Sequence, residues 1–281
     1  MGRPPGVNTL GQHTQRDDAV FELPPLREKL DLLAAAHGAT AFRSFADLGA
    51  CWGVHGAYAD HAVQLCGDRL KRAVIVDGVV TSLTRDRADA RVEIVPALLG
   101  SEEALAAVGE VDALIMFDIL VHQVDPDWDV FLRSWLRRTD VLVLWNHHWL
   151  AEPRSFRLID RGFDWYAKNA YGFGSPLDDS GDAHEDPMSL SALRCWFDRH
   201  GERDEWGRLE RDAHHYWQWG ITLEDLRALL RQERFEEIHF ERHPFSSKLP
   251  QIVCDGMVFR RRRLVSVVAG AVRRFGARNR P

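Results

Sequence analysis

Five stretches of nearly unbroken apolar residues punctuate the first half of the chain: SFADLGA (44–50), RAVIVDG (72–78), RVEIVPALLG (91–100), VDALIMFDIL (111–120) and TDVLVLWN (139–146). Runs that are apolar throughout, rather than alternating with polar residues, predict strands of a parallel sheet covered on both faces. Between them the apolar spacing turns helical. LREKLDLLAAAHGA precedes the first run, GVHGAYADHAVQLCGDRL follows it, and SEEALAAVG separates the third from the fourth. Ser101 suits the N-cap of that last helix, with Glu102 and Glu103 at its positive end. In DPDWDVFLRSWLRR the residues Trp128, Phe131, Leu132, Trp135 and Leu136 make one stripe. Strand and helix therefore alternate as in an α/β fold.

The pattern breaks after Trp149. Residues 150–219 are rich in aromatic, charged and turn residues and include the acidic stretch PLDDSGDAHEDP. Regularity resumes at ITLEDLRALLRQERF, where Thr222 suits a helix N-cap, and EEIHFERH and DGMVFRRR read as two closing strands. The predicted organisation is an irregular segment over 1–24, one domain over 25–260 interrupted by an insertion at 150–219, and a basic tail over 261–281.

Composition narrows the picture. The 281 residues carry a net charge of −6, yet eight arginines and no acid lie between Arg260 and Pro281, so the body of the chain is strongly acidic. Such a body is a poor partner for nucleic acid, whose binding rests on phosphate neutralisation. Cys51, Cys66, Cys195 and Cys254 are scattered and form no C-x-x-C pair, which speaks for a reducing compartment. With no apolar leader and no run approaching the length of about 20 residues that spans a bilayer, the expected location is the cytoplasm. In the tail, Leu264, Val268, Val272 and Phe275 fall on one helical face beside Arg273, Arg274, Arg278 and Arg280. This suits a solvated or dimer-packed helix, with peripheral contact with an anionic membrane as the alternative. A homodimer is the default assembly.

The turn DLGACWGVHG (Asp47–Gly56) joins the first strand to its helix. Glycines there let backbone approach a ligand, and the helix start offers free N–H groups. Asp77, at the end of the second strand, is placed to bind ribose hydroxyls. Gly49, Gly53 and Gly56 do not have the G-x-G-x-x-G spacing of a dinucleotide site. Asp47 would repel a pyrophosphate but suits a ligand bearing an ammonium group, which points to S-adenosylmethionine (SAM).

FADLGACWGVHG resembles the first motif of class I SAM-dependent methyltransferases, D-x-G-x-G-x-G, with Asp47, Gly49 and Gly53 matching and Cys51 in place of the middle glycine. VIVDG resembles their second motif, and Asp118, Leu120 and His122 match the D-x-L-x-H that closes the fourth strand. The resemblance covers about 40–149 and 220–260. It implies a Rossmann-like α/β fold with a seven-stranded, mostly parallel sheet, an antiparallel last strand and a substrate-covering insertion. It further implies SAM as cofactor, held by Asp47, Gly49, Cys51, Gly53, Asp77, Gly78 and Asp118. The arrangement is also similar to that of actinobacterial sugar O-methyltransferases, including those of methylmannose polysaccharide synthesis.

Methyl transfer to a hydroxyl needs alignment and a group to take the proton. His122, His147 and His148 follow the fourth and fifth strands, at the edge where open α/β sheets react. Adjacent residues leaving a strand point to opposite sides, so one of His147 and His148 is expected to face the acceptor. Trp145, Trp149, Tyr166, His214, His215 and Trp217 are the candidate acceptor contacts, since aromatic faces stack on sugar rings. His55 reads as a surface or capping residue. The expected acceptor is a hydroxyl of a small molecule or oligosaccharide, with a mannoside as one candidate. The alternatives are a natural-product O- or N-methyltransferase and a SAM-fold binding module without catalysis. A magnesium ion is a further possibility, although no group here has metal-ligand spacing of its own.

Overall fold

A computed structural model describes residues 23–51, 53–170, 190–199, 201–203, 209–212, 217–247 and 249–262. The five apolar runs are parallel strands: β1 (Ser44–Leu48), β2 (Arg72–Asp77), β3 (Val92–Pro96), β4 (Val111–Phe117) and β5 (Thr139–Trp149). Two residues each of β6 (Phe156–Arg157) and β7 (Trp219–Gly220) pair as a small separate ribbon. β8 (Phe235–Pro244) and β9 (Ile252–Arg261) complete a seven-stranded sheet of order β3-β2-β1-β4-β5-β9-β8. β9 is antiparallel to both neighbours, so the antiparallel strand expected last in the chain is this one.

Strand residues alternate between two apolar layers. Phe45, Ile75, Ile115 and Val143 face α1 (Arg27–Thr40) and α2 (Ala57–Cys66). Leu48, Leu114, Met116 and Leu144 face α4 (Glu102–Val108), α5 (Trp128–Leu136) and α8 (Leu223–Gln232). The predicted α5 stripe is buried in full. Ser101 and Thr222 cap their helices by accepting from the amides of Ala104 and Asp225. A short helix that the pattern did not announce, α3 (Ser82–Arg87), is capped by Thr81. Of the insertion, α6 (Phe163–Asn169) and α7 (Leu190–Asp198) are described, and they share a third apolar cluster with Trp149, Trp217 and Leu249. Among the described residues no helix is long and apolar enough to cross a membrane. The acidic stretch 176–187, most of the segment 1–24 and the tail beyond Arg262 lie outside the described residues.

One strand boundary differs from expectation. The apolar pattern ends β5 near Asn146, whereas the strand continues to Trp149 because β9 pairs with it through Trp149 and Ile252. His147 and His148 are therefore strand residues with fixed and opposite directions.

His148 points to the α8 side and is fully buried. Its Nδ1 lies 3.0 Å from Oδ2 of Asp255, itself fully buried, and Arg242 donates to both Asp255 oxygens at 2.7 and 2.8 Å. Burial opposes the Asp255 charge, but Arg242 and His148 hold its carboxyl below the usual range. The cluster ties β5, β9 and β8 together. Removing one member of a buried charge set leaves the others uncompensated. Asp255→Ala is therefore expected to cost about 3–5 kcal/mol of stability, measured by urea unfolding. A loss below about 1 kcal/mol, the range of exposed pairs, would show that the cluster does not hold the strands.

Candidate active site

The turn after β1 is built by its glycines. Gly49, Gly53 and Gly56 have φ of 74°, 71° and 85°, in the left-handed region. A Cβ on Gly49 would also lie 2.2 Å from Cδ1 of Ile119, so a side chain there would displace Ile119 and strain the backbone. His55, expected at the surface, is instead buried in this turn with Nδ1 2.9 Å from Oγ1 of Thr81. Cys51 is buried where the motif has a glycine, and its N–H donates to Oδ2 of Asp77 at 2.9 Å, while Val79 N–H donates to Oδ1 at 3.0 Å. The cysteine position thus binds the turn to the tip of β2, next to exposed Gly78. Burial and the nearby Asp77 charge raise the Cys51 thiol well above its usual range.

Asp47 is 2% exposed, and its Oδ2 has no hydrogen-bond partner. Burial, with the Asp77 charge added, pushes its carboxyl up to about 8. A buried carboxylate without a partner is costly, and a cationic ligand group would supply the missing one. The glycine cradle, the Asp47 oxygen and the Asp77 carboxylate fit a nucleoside cofactor with an ammonium group.

Across the sheet, β4 is followed by Asp118, whose backbone is left-handed with φ 59°. Its Oδ2 accepts from Nζ of Lys29 at 2.5 Å, and its Oδ1 lies 3.4 Å from Nδ1 of His147. Lys29, from α1, is 6% exposed. Burial works against its charge, but Asp118 outweighs that, and the shift is upward. Burial likewise opposes the Asp118 charge, while Lys29 and His147 hold its carboxyl below the usual range. The His147 ring packs against Trp217, 4.8 Å between centroids, and edge-on to Phe245 at 4.9 Å. Burial lowers its pKa to about 4, the Asp118 charge notwithstanding. A cavity of about 270 Å³ opens here, lined among others by Glu28, Asp118, Trp145, His147, His243 and Phe245.

The structure brings together some of the sequence-predicted residues and separates others. His147, Trp145 and Asp118 meet at the cavity. Trp217 joins them through its contact with His147. His122, half-buried on the turn Leu120–His122, is near enough for its charge to act on Asp118 and His147. His148 faces the other side of the sheet, in the Asp255 cluster. Trp149 stacks on Trp165 in the insertion's own core. Tyr166 is fully buried there and donates to the carbonyl of Trp217. His214 and His215 lie outside the described residues. Among those described, no three His, Cys, Asp or Glu side chains are grouped to hold a metal ion.

Sequence reasoning missed Lys29, Glu28, His243 and Phe245. For Lys29 a signal existed: with Leu32, Leu33 and Ala36 it completes the i, i+3, i+4, i+7 stripe of α1, so a cation sits on the face that must be buried.

No known family's sequence profile and no curated protein matches the chain. Solved structures do. The N-terminal domain of EvdMO1, crystallised in the presence of SAH and D-fucose, is 15% identical over 93% of this chain and 100% of that one, with a TM-score of 0.51. The N-methyltransferase NodS from Bradyrhizobium japonicum WM9, in complex with S-adenosyl-L-homocysteine (SAH), is 11% identical over 91% of this chain and 100% of that one, with a TM-score of 0.50. At such identities the likeness is one of fold: the chain has the Rossmann-like α/β fold of class I methyltransferases, seven strands with the last antiparallel.

Nitrogen-detected NMR titration of the histidines is expected to place His147 near 4. The unfolded chain takes up that proton near 6.5, so stability is fully present above that value and falls as the pH drops toward 4, by about 3 kcal/mol in all. A His147 midpoint at the ordinary value would refute the burial described for this ring.

Proposed function

We propose that the protein is a SAM-dependent O-methyltransferase that methylates a hydroxyl of a small acceptor, with His147 as general base. The observation that carries this reading is the unpartnered, buried Oδ2 of Asp47 inside the left-handed glycine turn. When bound, SAM supplies a methyl group on a sulfonium. Gly49, Gly53 and the Cys51 backbone would lie against it, Asp77 and Gly78 would face its ribose, and Asp47 would answer its ammonium group.

On the acceptor side, His147 stands at the cavity beside Asp118. Being neutral at ordinary pH, it takes the hydroxyl proton as the oxygen attacks, and Asp118 faces the imidazolium that results. Displacement from a sulfonium requires the attacking oxygen to lie in line with the methyl group. The Trp145 and Phe245 walls line the cavity and would limit how an acceptor can lie in it. These walls also support a sugar as acceptor, because a ring's C–H face stacks on aromatics while its hydroxyls bond to polar groups. The D-fucose present with the EvdMO1 domain is compatible with that class. His122 is the second candidate base, through its place beside Asp118. An amine acceptor is the second reading, favoured by the Glu28 carboxylate at the same cavity.

Titration calorimetry with SAM and with SAH is the first test. Micromolar binding is expected, reduced at least about tenfold by Asp77→Ala, on the scale of one charged hydrogen bond. With binding established, His147→Gln is expected to lower kcat by about 10²–10⁴ while leaving SAM affinity intact. No binding of either compound would remove the proposal, and an unchanged kcat would remove His147 from it.

A further inference from the structure

We propose that Lys29 is a positioning residue for the base: it neutralises the Asp118 carboxylate, so that His147 stays unprotonated and Asp118 is left to orient the imidazole rather than to charge it. This rests on the reading of His147 as base. Lys29 leaves the buried stripe of α1 and reaches across to the end of β4, where its ammonium meets Oδ2 of Asp118. The faces of Tyr58, Phe117 and Trp145 surround the ammonium, with centroids 5.5, 5.6 and 5.9 Å away. Cation–π attraction and the carboxylate together offset the loss of water around this charge. The two oxygens of Asp118 are divided, Oδ2 at 2.5 Å from Nζ of Lys29 and Oδ1 at 3.4 Å from Nδ1 of His147.

The division matters chemically. An isolated carboxylate 3.4 Å from an imidazole favours the imidazolium. An imidazolium cannot accept the acceptor's proton. With Lys29 in place the pair Lys29–Asp118 has no net charge, so burial decides the state of His147 and the ring remains neutral through the physiological range. The same pairing weakens His147 as a base, in exchange for keeping the basic form populated.

The other charged or titratable groups around His147 do not replace this effect. His122 from the turn after β4 and His148 from the same strand both disfavour its protonation. Cys254 lies opposite it on β9, with a thiol raised by burial to about 12, and so carries no charge. Glu28 and His243 line the cavity.

The test is the NMR titration of His147 in the full chain, its signal assigned by its loss in His147→Gln, with no cofactor or acceptor present. In Lys29→Met the midpoint is expected to rise by at least about one unit, toward the ordinary histidine value or above it. Lys29→Arg, which keeps the charge, is expected to stay near wild type. Adding Asp118→Asn to Lys29→Met removes the released anion and should bring the midpoint back down. An unmoved midpoint in Lys29→Met, or one that stays high in the double variant, overturns the proposal. Lys29→Gln also removes the charge, with a polar amide in its place, and reads the same quantity should the methionine variant not fold. If the midpoints behave as stated while SAM does not bind, the charge relation stands and the methyltransferase reading falls.

Discussion

The pairing of β5 with β9 runs from Val141 opposite Arg260 to Trp149 opposite Ile252, well past the point where β4 has ended at Phe117. Beyond that point β4 no longer pairs with β5, whose last residue Trp149 instead donates its N–H to the carbonyl of Ile221, and Asp118 lies where β4 has turned away. A strand supported in this way cannot let its side chains wander. Trp145, His147 and Trp149 are committed to one face and Asn146 and His148 to the other, because a slip of one residue would exchange the two sets. The tryptophan–histidine stretch is thereby divided into a scaffold half and a cavity half.

Three carboxylates in this region, Asp47 and Asp255 buried and Asp118 half-buried, meet the same difficulty in three ways. Asp255 is closed off completely by Arg242 and His148, and it serves as a tie between strands. Asp118 is divided, with one oxygen on a lysine brought from a distant helix and the other beside His147. Asp47 keeps one oxygen without a partner. Buried charge is tolerated where hydrogen bonds and counter-charges surround it. The degree of closure therefore separates the group that builds the sheet from the group left waiting for a ligand.

Much of this was legible in the sequence. Strands apolar on both faces could only belong to a sheet covered twice, and the α5 stripe and the caps at Ser101 and Thr222 follow from local chemistry that packing does not override. The glycines of the turn announced themselves as well, since their positions demand left-handed backbone. The end of β5 was not legible, because β9, more than a hundred residues later, decides it. For the same reason the pattern could say that His147 and His148 part company, but not which faces the cavity. Lys29 was visible as an anomaly in an apolar stripe, yet its partner is 89 positions away. Long-range pairing of charges leaves no periodic mark. His55 was misplaced because a left-handed turn folded it inward against Thr81, a route that no apolar spacing describes.

The thiols near the site have a bearing on how such a site would survive the sulfonium reagent proposed for it. A sulfonium is an electrophile toward any nucleophile within reach, and the strongest one a protein can offer is a thiolate. Cys51 lies in the cofactor turn itself and Cys254 at the cavity wall. Both are buried and both are held in the protonated form, Cys254 with a thiol pushed up to about 12 and Cys51 with a thiol raised by burial and the nearby Asp77. The surroundings that hold a cysteine in this turn also silence it, so that, with the proposed methyl donor bound, neither thiol would compete with the acceptor.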